Sequence, residues 1–306
     1  MQKLKIMALG ITLVGIVMFS EVIAYADSTG ETSTGITLGD WANESSGDQG
    51  SGSQESGDQE SGGAGDNESQ EPGFRPYPKK TTVYAMKHIY LYRESTFNKK
   101  YRKISYVKKP RIKRPMFVVV GHKYSRNGVL RYKVRDVNHK SKTDGKVGYI
   151  TARWDYIRPV YYQGFHKRMT VIAPAGINVY KKVNLTKKRS HYKQGTKIKI
   201  KRIVHYRLTT RYILASGGYI TGNRKLVQYK DKKQPMKVKT KTHVNLYDNV
   251  NLQKKRKSYK AGTKLTVKNW DYSREDKMGV KGVKRYKVAG GYITGNTKFV
   301  KVVYSR

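Results

Sequence analysis

The chain of 306 residues contains no cysteine. Disulfide staples and thiolate-held metals are therefore excluded, and each domain must be held by core burial alone. An exported chain without cysteine fits a bacterial protein better than a eukaryotic extracellular one. Acids are also scarce over most of the length: from Gly73 onward there are nine Asp or Glu against 62 Lys or Arg, a net charge of +53. Only Asp271, Glu275 and Asp276 cluster, and that trio reads as a solvated loop rather than a cation site. The seven histidines include no His-x-x-x-His pair. His88 and His243, at matching repeat positions, read as structural. No Gly-x-Ser-x-Gly elbow occurs, and the glycines from Gly290 to Gly295 lack the Gly-Lys-Thr ending and following helix of a phosphate loop. No segment shows helical amphipathicity. The expectation is a chain with no catalytic, cofactor or metal site.

The two ends differ sharply from the body. Lys3 and Lys5 precede an uncharged stretch from Ile6 to Phe19, and Ala24-Tyr25-Ala26 follows as a cleavage site. That is the pattern of a secretory leader over residues 1–26. The apolar stretch would span about 21 Å as a helix, short of a bilayer core of roughly 30 Å, so no integral span is expected after cleavage. No cysteine follows it, which excludes a lipid anchor. Val302-Val303-Tyr304-Ser305-Arg306 carries no sorting-type motif, so attachment to a surface is expected to be non-covalent. Between Asp27 and Pro72 there are eleven acids and no base. This Gly/Ser/Gln/Glu-rich composition predicts a disordered linker over 27–80, closed by Phe74-Arg75-Pro76-Tyr77-Pro78. Tethered beside a basic body, it is expected to compete for the basic surface.

What the remainder has in abundance is repetition. Gly217-Gly218-Tyr219-Ile220-Thr221-Gly222-Asn223 recurs letter for letter as Gly290-Gly291-Tyr292-Ile293-Thr294-Gly295-Asn296, with a shorter copy at Gly148-Tyr149-Ile150-Thr151. Around these lie three further echoes. The first is a strand at His88–Tyr92, Ile177–Tyr180 and His243–Tyr247. The second is a turn and strand, Tyr192–Ile200 and Tyr259–Val267. The third is an Arg-Tyr pair at 131–132, 211–212 and 285–286. Alternation is plain in Lys197-Ile198-Lys199-Ile200, Ile inward and Lys outward. Asp144-Gly145, Ser216-Gly217 and Gly290-Gly291 suit hairpin turns with positive φ. An insertion from Asp271 to Gly279 marks the third unit, and Val137 to Asp144 marks the first. The reading is all-β: three units at 81–163, 164–234 and 235–306, each of about five short strands around a tyrosine-rich core.

An Asn-Val-Tyr strand, then Lys-x-Gly-Thr-Lys, then a glycine turn into Gly-Tyr-Ile-Thr, resembles bacterial SH3-like cell-wall-binding repeats. It is similar also to the repeats of lactobacillal surface proteins, including S-layer wall-binding modules and a related repeat family of uncharacterised function. The resemblance covers residues 81–306 and implies three tandem small barrels. The first unit departs most, with Lys109-Pro110 in place of the Gly-Thr turn and Ala152-Arg153-Trp154 in place of Gly-Asn.

Outward lysines on alternate strand positions, with Tyr and Arg beside them, should attract polyphosphate or polycarboxylate chains. The candidate residues are Tyr180, Lys193, Lys197, Lys199, Arg211 and Tyr219 in the second unit. In the third they are Tyr247, Lys260, Lys264, Lys268, Arg285 and Tyr292. The expected partner is an anionic cell-wall polymer of the teichoic-acid type, bound by a non-catalytic secreted protein. Two alternatives stand beside it: an adhesin for host glycans or mucin, and a nucleic-acid binder, which the export signal opposes.

Overall fold

The computed structural model describes residues 76–229 and 233–304; the expected leader and the acidic segment up to residue 75 lie outside them. The described chain is built from antiparallel strands, with two single 3-10 turns at Lys99–Tyr101 and Arg111–Lys113. No helix among the described residues is long and apolar enough to cross a membrane.

The first module contains β1 (Thr82–Ala85), β2 (Ile89–Tyr92), β3 (Arg102–Tyr106), β4 (Met116–Tyr124), β5 (Leu130–Asp136), β6 (Val147–Thr151) and β7 (Ile157–Pro159). They form one sheet in the order β3-β2-β6-β5-β4-β1-β7. The second contains β8 (Arg168–Val171), β9 (Ile177–Tyr180), β10 (Lys188–Tyr192), β11 (Lys197–Tyr206), β12 (Thr209–Leu214), β13 (Tyr219–Thr221) and β14 (Val227–Gln228), in the equivalent order β10-β9-β13-β12-β11-β8-β14. The third contains β15 (Pro235–Thr240), β16 (Val244–Tyr247), β17 (Lys255–Tyr259), β18 (Lys264–Thr266), β19 (Asn269–Tyr272), β20 (Lys284–Val288), β21 (Gly291–Thr294) and β22 (Val300–Tyr304). Here the sheet is divided into β17-β16-β21-β20-β19 and β18-β15-β22.

The division has a local cause. In the first two modules one long strand serves both halves, and its register slips between Val119 and Gly121 or between Ile200 and Arg202. Such a bulge bends a strand. In the third module the same bend breaks it, and Val267-Lys268 separates β18 from β19.

Each module encloses its own apolar cluster. Tyr106, Phe117, Leu91 and Tyr132 lie in the first, Tyr162, Met169, Leu214 and Tyr212 in the second, and Leu246, Val288 and Tyr286 in the third. Tyrosine supplies the bulk of the largest buried side chains, as its abundance suggested. Ring burial is reconciled with the hydroxyl by bonding: Tyr106 OH donates to Asp136 Oδ2 at 2.5 Å and Tyr212 OH to Gly164 O at 3.0 Å.

The structure departs from the sequence reading in strand number. Seven strands per module, eight where one is broken, replace the expected five. The strands not anticipated are the opening one (β1, β8, β15), the closing one (β7, β14, β22), and β3, β10 and β17, which lie where a lysine-rich connection was expected. The Arg-Tyr pair, expected to end its strand, lies inside β5, β12 and β20, short of their ends. At the seams, Tyr77 stacks on Tyr132 with ring centres 5.5 Å apart, so the close of the Pro-rich stretch is already folded.

The modules do not hang as separate beads. Arg111 donates from Nη2 to Tyr162 OH at 2.6 Å and from Nε to Arg224 O at 2.5 Å. Gln194 bonds both the N–H and the carbonyl of Trp270, at 2.8 and 3.0 Å. The third module's insertion reaches the first: Met278, 6% exposed, packs into the first module's cluster, and Lys113 Nζ meets Asp271 at 3.0 Å and Glu275 at 2.9 Å. Lys109 Nζ donates to Arg274 O at 2.7 Å. The expected solvated acidic loop is thus a clasp, with Asp271 on strand β19. Lys109-Pro110 and the Asp271–Gly279 insertion, the two main departures from the repeat, are the parts that meet.

Candidate polyanion-binding surface

The exact repeat can be explained letter by letter. Ile150, Ile220 and Ile293 are fully buried. The glycine before each Tyr lets two strands approach: a Cβ on Gly148 would lie 2.5 Å from Tyr92 O, and one on Gly218 2.8 Å from Val179 Cγ1. Thr221 and Thr294 accept the N–H of Asn223 and Asn296, each at 3.2 Å. Those asparagines in turn accept the N–H of Lys225 and Lys298. The repeat is scaffold, except for its tyrosine.

That tyrosine points to the outward face, since its neighbours along the strand point in. Its register partner across the sheet is a second tyrosine: Tyr92 with Tyr149, Tyr180 with Tyr219, Tyr247 with Tyr292. One strand further out, the partner of Tyr92, Tyr180 and Tyr247 is Arg102, Lys188 and Lys255. On the other side Tyr149, Tyr219 and Tyr292 pair with Lys133, Ile213 and Lys287. Directly opposed residues share a face at Cβ separations of about 5 Å. Each module therefore presents a row of a cation and two tyrosines, closed by a second cation in the first and third.

The rows are tied to a basic edge. Arg102-Lys103, Lys188-Arg189 and Lys255-Arg256 begin β3, β10 and β17, and all six side chains are exposed. A neighbouring pair orders the outward face: His191 Nδ1 and Asn178 Oδ1 at 2.8 Å, Ser258 Oγ donating to Asn245 Oδ1 at 2.8 Å. Asn178 Nδ2 then reaches Tyr180 OH at 3.3 Å. In the first module Arg102 lies over the Tyr90 ring at 4.1 Å, and Phe97 stacks on Tyr92 at 4.2 Å. Phe97 is why Tyr92 is buried while the other five row tyrosines are half-buried. The Tyr92 hydroxyl accepts from Arg102 Nε, and this bond raises the Arg102 pKa. Burial, with Asp271 next in effect, raises that of Tyr292.

Most of the described acids are engaged in other contacts, although Asp248 follows Tyr247 directly and Asp271 acts on Tyr292. Asp136 is buried, Asp155 meets Lys87 and Arg153, Asp144 meets His139, and Asp271 and Glu275 hold Lys113. Among the described residues, Arg102, Lys133, Lys188, Lys255 and Lys287 form no ion pair. No group of three or more His, Asp or Glu is gathered as a metal-ligand set among them either.

The twelve candidate residues separate into three settings. Tyr180 with Tyr219 and Tyr247 with Tyr292 are brought together in the rows. Lys197 and Lys199 on β11, and Lys264 on β18, lie outward on the other half of each module. Lys193 and Lys260 are exposed at the turns before those strands, and Lys268 at the break between β18 and β19. Arg211 and Arg285 belong to neither surface. Arg211 is 8% exposed, donates to Thr210 O at 2.9 Å and lies over the Tyr206 ring at 5.6 Å; burial lowers its pKa. Arg285 is half-buried, donates to Lys284 O at 3.3 Å, and is lowered by burial and then by Arg274. The missed residues were Lys133, Lys287 and the first module's tyrosines, together with the edge cations Arg102, Lys188 and Lys255. The signal for the edge cations was the aligned run Arg102–Tyr106, Lys188–Tyr192 and Lys255–Tyr259, a basic pair three residues before a tyrosine.

No curated protein matches the chain. Residues 161–227 and 229–300, which contain the second and third modules' sheets up to the start of β22, each match one family model, described as a domain of unknown function (DUF5776).

Proposed function

We propose that this is a non-catalytic, secreted surface protein whose three SH3-like modules hold an anionic cell-wall polymer of the teichoic-acid type. The observation that carries the reading is the outward cation–Tyr–Tyr row, repeated at the same register in all three modules beside a basic edge strand. Cations unpaired by protein carboxylates release their counterions to a polyanion. Tyrosine hydroxyls can donate to phosphate oxygens, and the rings offer an apolar wall for the polymer's carbon chain. Binding through three joined modules multiplies weak contacts into avidity. Lysine on an edge strand also guards against edge-to-edge pairing, yet that role does not call for a tyrosine pair behind it.

The test is sedimentation of the full chain with purified walls, before and after teichoic acid is extracted. Binding should be lost on extraction and in concentrated salt. Equal binding to extracted walls would defeat the reading.

A further inference from the structure

The third module carries a second cationic row that spans all three strands of one sheet, where the second module has Lys199 opposite Arg168 with Lys197 beside it. On β18-β15-β22, Lys239 is the register partner of both Lys264 and Lys301. Lys237, two residues earlier on the central strand, faces the same way between Thr266 and Val303. All four lysines are exposed, whereas Val238, Thr240 and Val300 beneath them are buried. Strand spacing of about 4.8 Å sets the stems of Lys264, Lys239 and Lys301 within about 10 Å. Lys239 and Lys301 line one groove with Thr240, Lys241 and Gly262, and all four lysines line another with Val238 and Val303.

The corresponding row of the second module is Lys197, Thr170 and Gln228. In the first module it is Met116, Tyr84 and Arg158. The same framework therefore folds with a threonine or a tyrosine at the centre. Like charges directly opposite destabilise an antiparallel pair. Edge protection would account for lysine on β18 and β22, but not for Lys239 on the central strand, where no edge exists. Among the described residues none of Lys237, Lys239, Lys264 and Lys301 forms an ion pair.

We infer that this face is a binding site for a phosphodiester chain running across the three strands, a specific subsite within the polyanion reading above and resting on it. The row is all lysine, and lysine binds phosphate as a point charge, whereas planar carboxylates favour the guanidinium fork. No aromatic ring belongs to it on which a nucleic-acid base could stack. The ligand is thus recognised by its phosphates alone.

The test titrates the full chain and its Lys239→Thr, Lys301→Gln variant, which reproduces the second module's row, with poly(glycerol phosphate) from 50 to 200 mM salt. Polyglutamate and oligothymidylate of equal charge are run beside it. The variant should melt no lower than the parent. Its log–log salt slope for poly(glycerol phosphate) should be shallower by about 1.4, two lost phosphate contacts at roughly 0.7 each. The parent should prefer poly(glycerol phosphate) to polyglutamate, and bind oligothymidylate no more tightly. An unchanged slope in the variant overturns the site while leaving the general reading in place. So does a parent that binds polyglutamate equally or oligothymidylate more tightly. A parent that binds no polyanion overturns both.

Discussion

Tyr247 and Tyr292 are direct register partners, the one pair through which β16 joins β21. They stand side by side because Gly291 has no side chain: a Cβ there would collide with the carbonyl oxygen of Tyr247. The glycine is structural and the tyrosines are presented by it. The same division of labour holds between Tyr180 and Tyr219 over Gly218.

Gly291→Ala should therefore destabilise the third module by about 1–3 kcal/mol, the usual cost of forcing atoms into filled space. Denaturant unfolding followed by tyrosine fluorescence reads this. Gly262→Ala serves as a comparison with a positive φ of 82° but open space around it, and should cost less.

Removing only the hydroxyls separates binding from folding. Among the described residues, the hydroxyls of Tyr219 and Tyr292 have no hydrogen-bond partner. Tyr219→Phe with Tyr292→Phe should leave the melting temperature unchanged. Wall-polymer affinity should fall about tenfold or more, as a hydrogen bond to a charged group contributes about 1.5–3 kcal/mol. Calorimetric titration of the full chain measures both.

The clasp predicts coupling between modules distant in sequence. Met278→Ala should cost about 2–5 kcal/mol, and the loss should appear in the first module, whose core Met278 fills. Hydrogen exchange of the β2 and β3 amides would localise it. Lys113→Ala should cost a further amount toward the lower end of about 3–5 kcal/mol, since it strands the largely buried Asp271 while the more exposed Glu275 keeps Lys140 at 3.1 Å.

The junction also fixes a pH dependence. Burial pushes the Lys225 ammonium, whose Nζ donates to Arg114 O, down to about 7, with Glu275 opposing and Lys113 and Lys109 assisting. Burial takes Lys109 down to about 8, against the pull of Asp276 and Glu275. The unfolded chain keeps these lysines protonated to an ordinary value near 10.5, so between pH 7 and 10 it binds more protons than the folded one. Stability should therefore rise with pH across that window, and fall toward pH 7 as both groups are forced to charge. Above about pH 10 the trend reverses, because burial holds Tyr212 and Tyr132 un-ionised in the fold. Chemical denaturation at pH 7, 8.5 and 9.5 follows the sign.

Much of this was legible in the residues. Alternation in Lys197–Ile200 and the glycine turns identify an all-β chain of repeated units, and the structure keeps Gly145, Gly217 and Gly290 at positive φ. The opening strands were not legible. Thr82–Ala85 and Arg168–Val171 are short and share no motif, and β15 pairs two residues out of step with its sequence match because its following loop is shorter. The lysine row on β15 and β22 was hidden for the same reason. Arg211 read as a surface cation because alternation sets which face a side chain takes, not how deeply neighbouring rings cover it. The clasp lay in the departures from the repeat, where pattern matching offers no partner.

The most direct test of the account is the salt dependence of binding between the full chain and poly(glycerol phosphate). Two cations in the first and third rows and one in the second predict a linear fall of log affinity with log salt, the rows contributing a slope near −3.5 at roughly 0.7 per contact. A slope near zero, or equal affinity for an uncharged polymer of the same length, would contradict it.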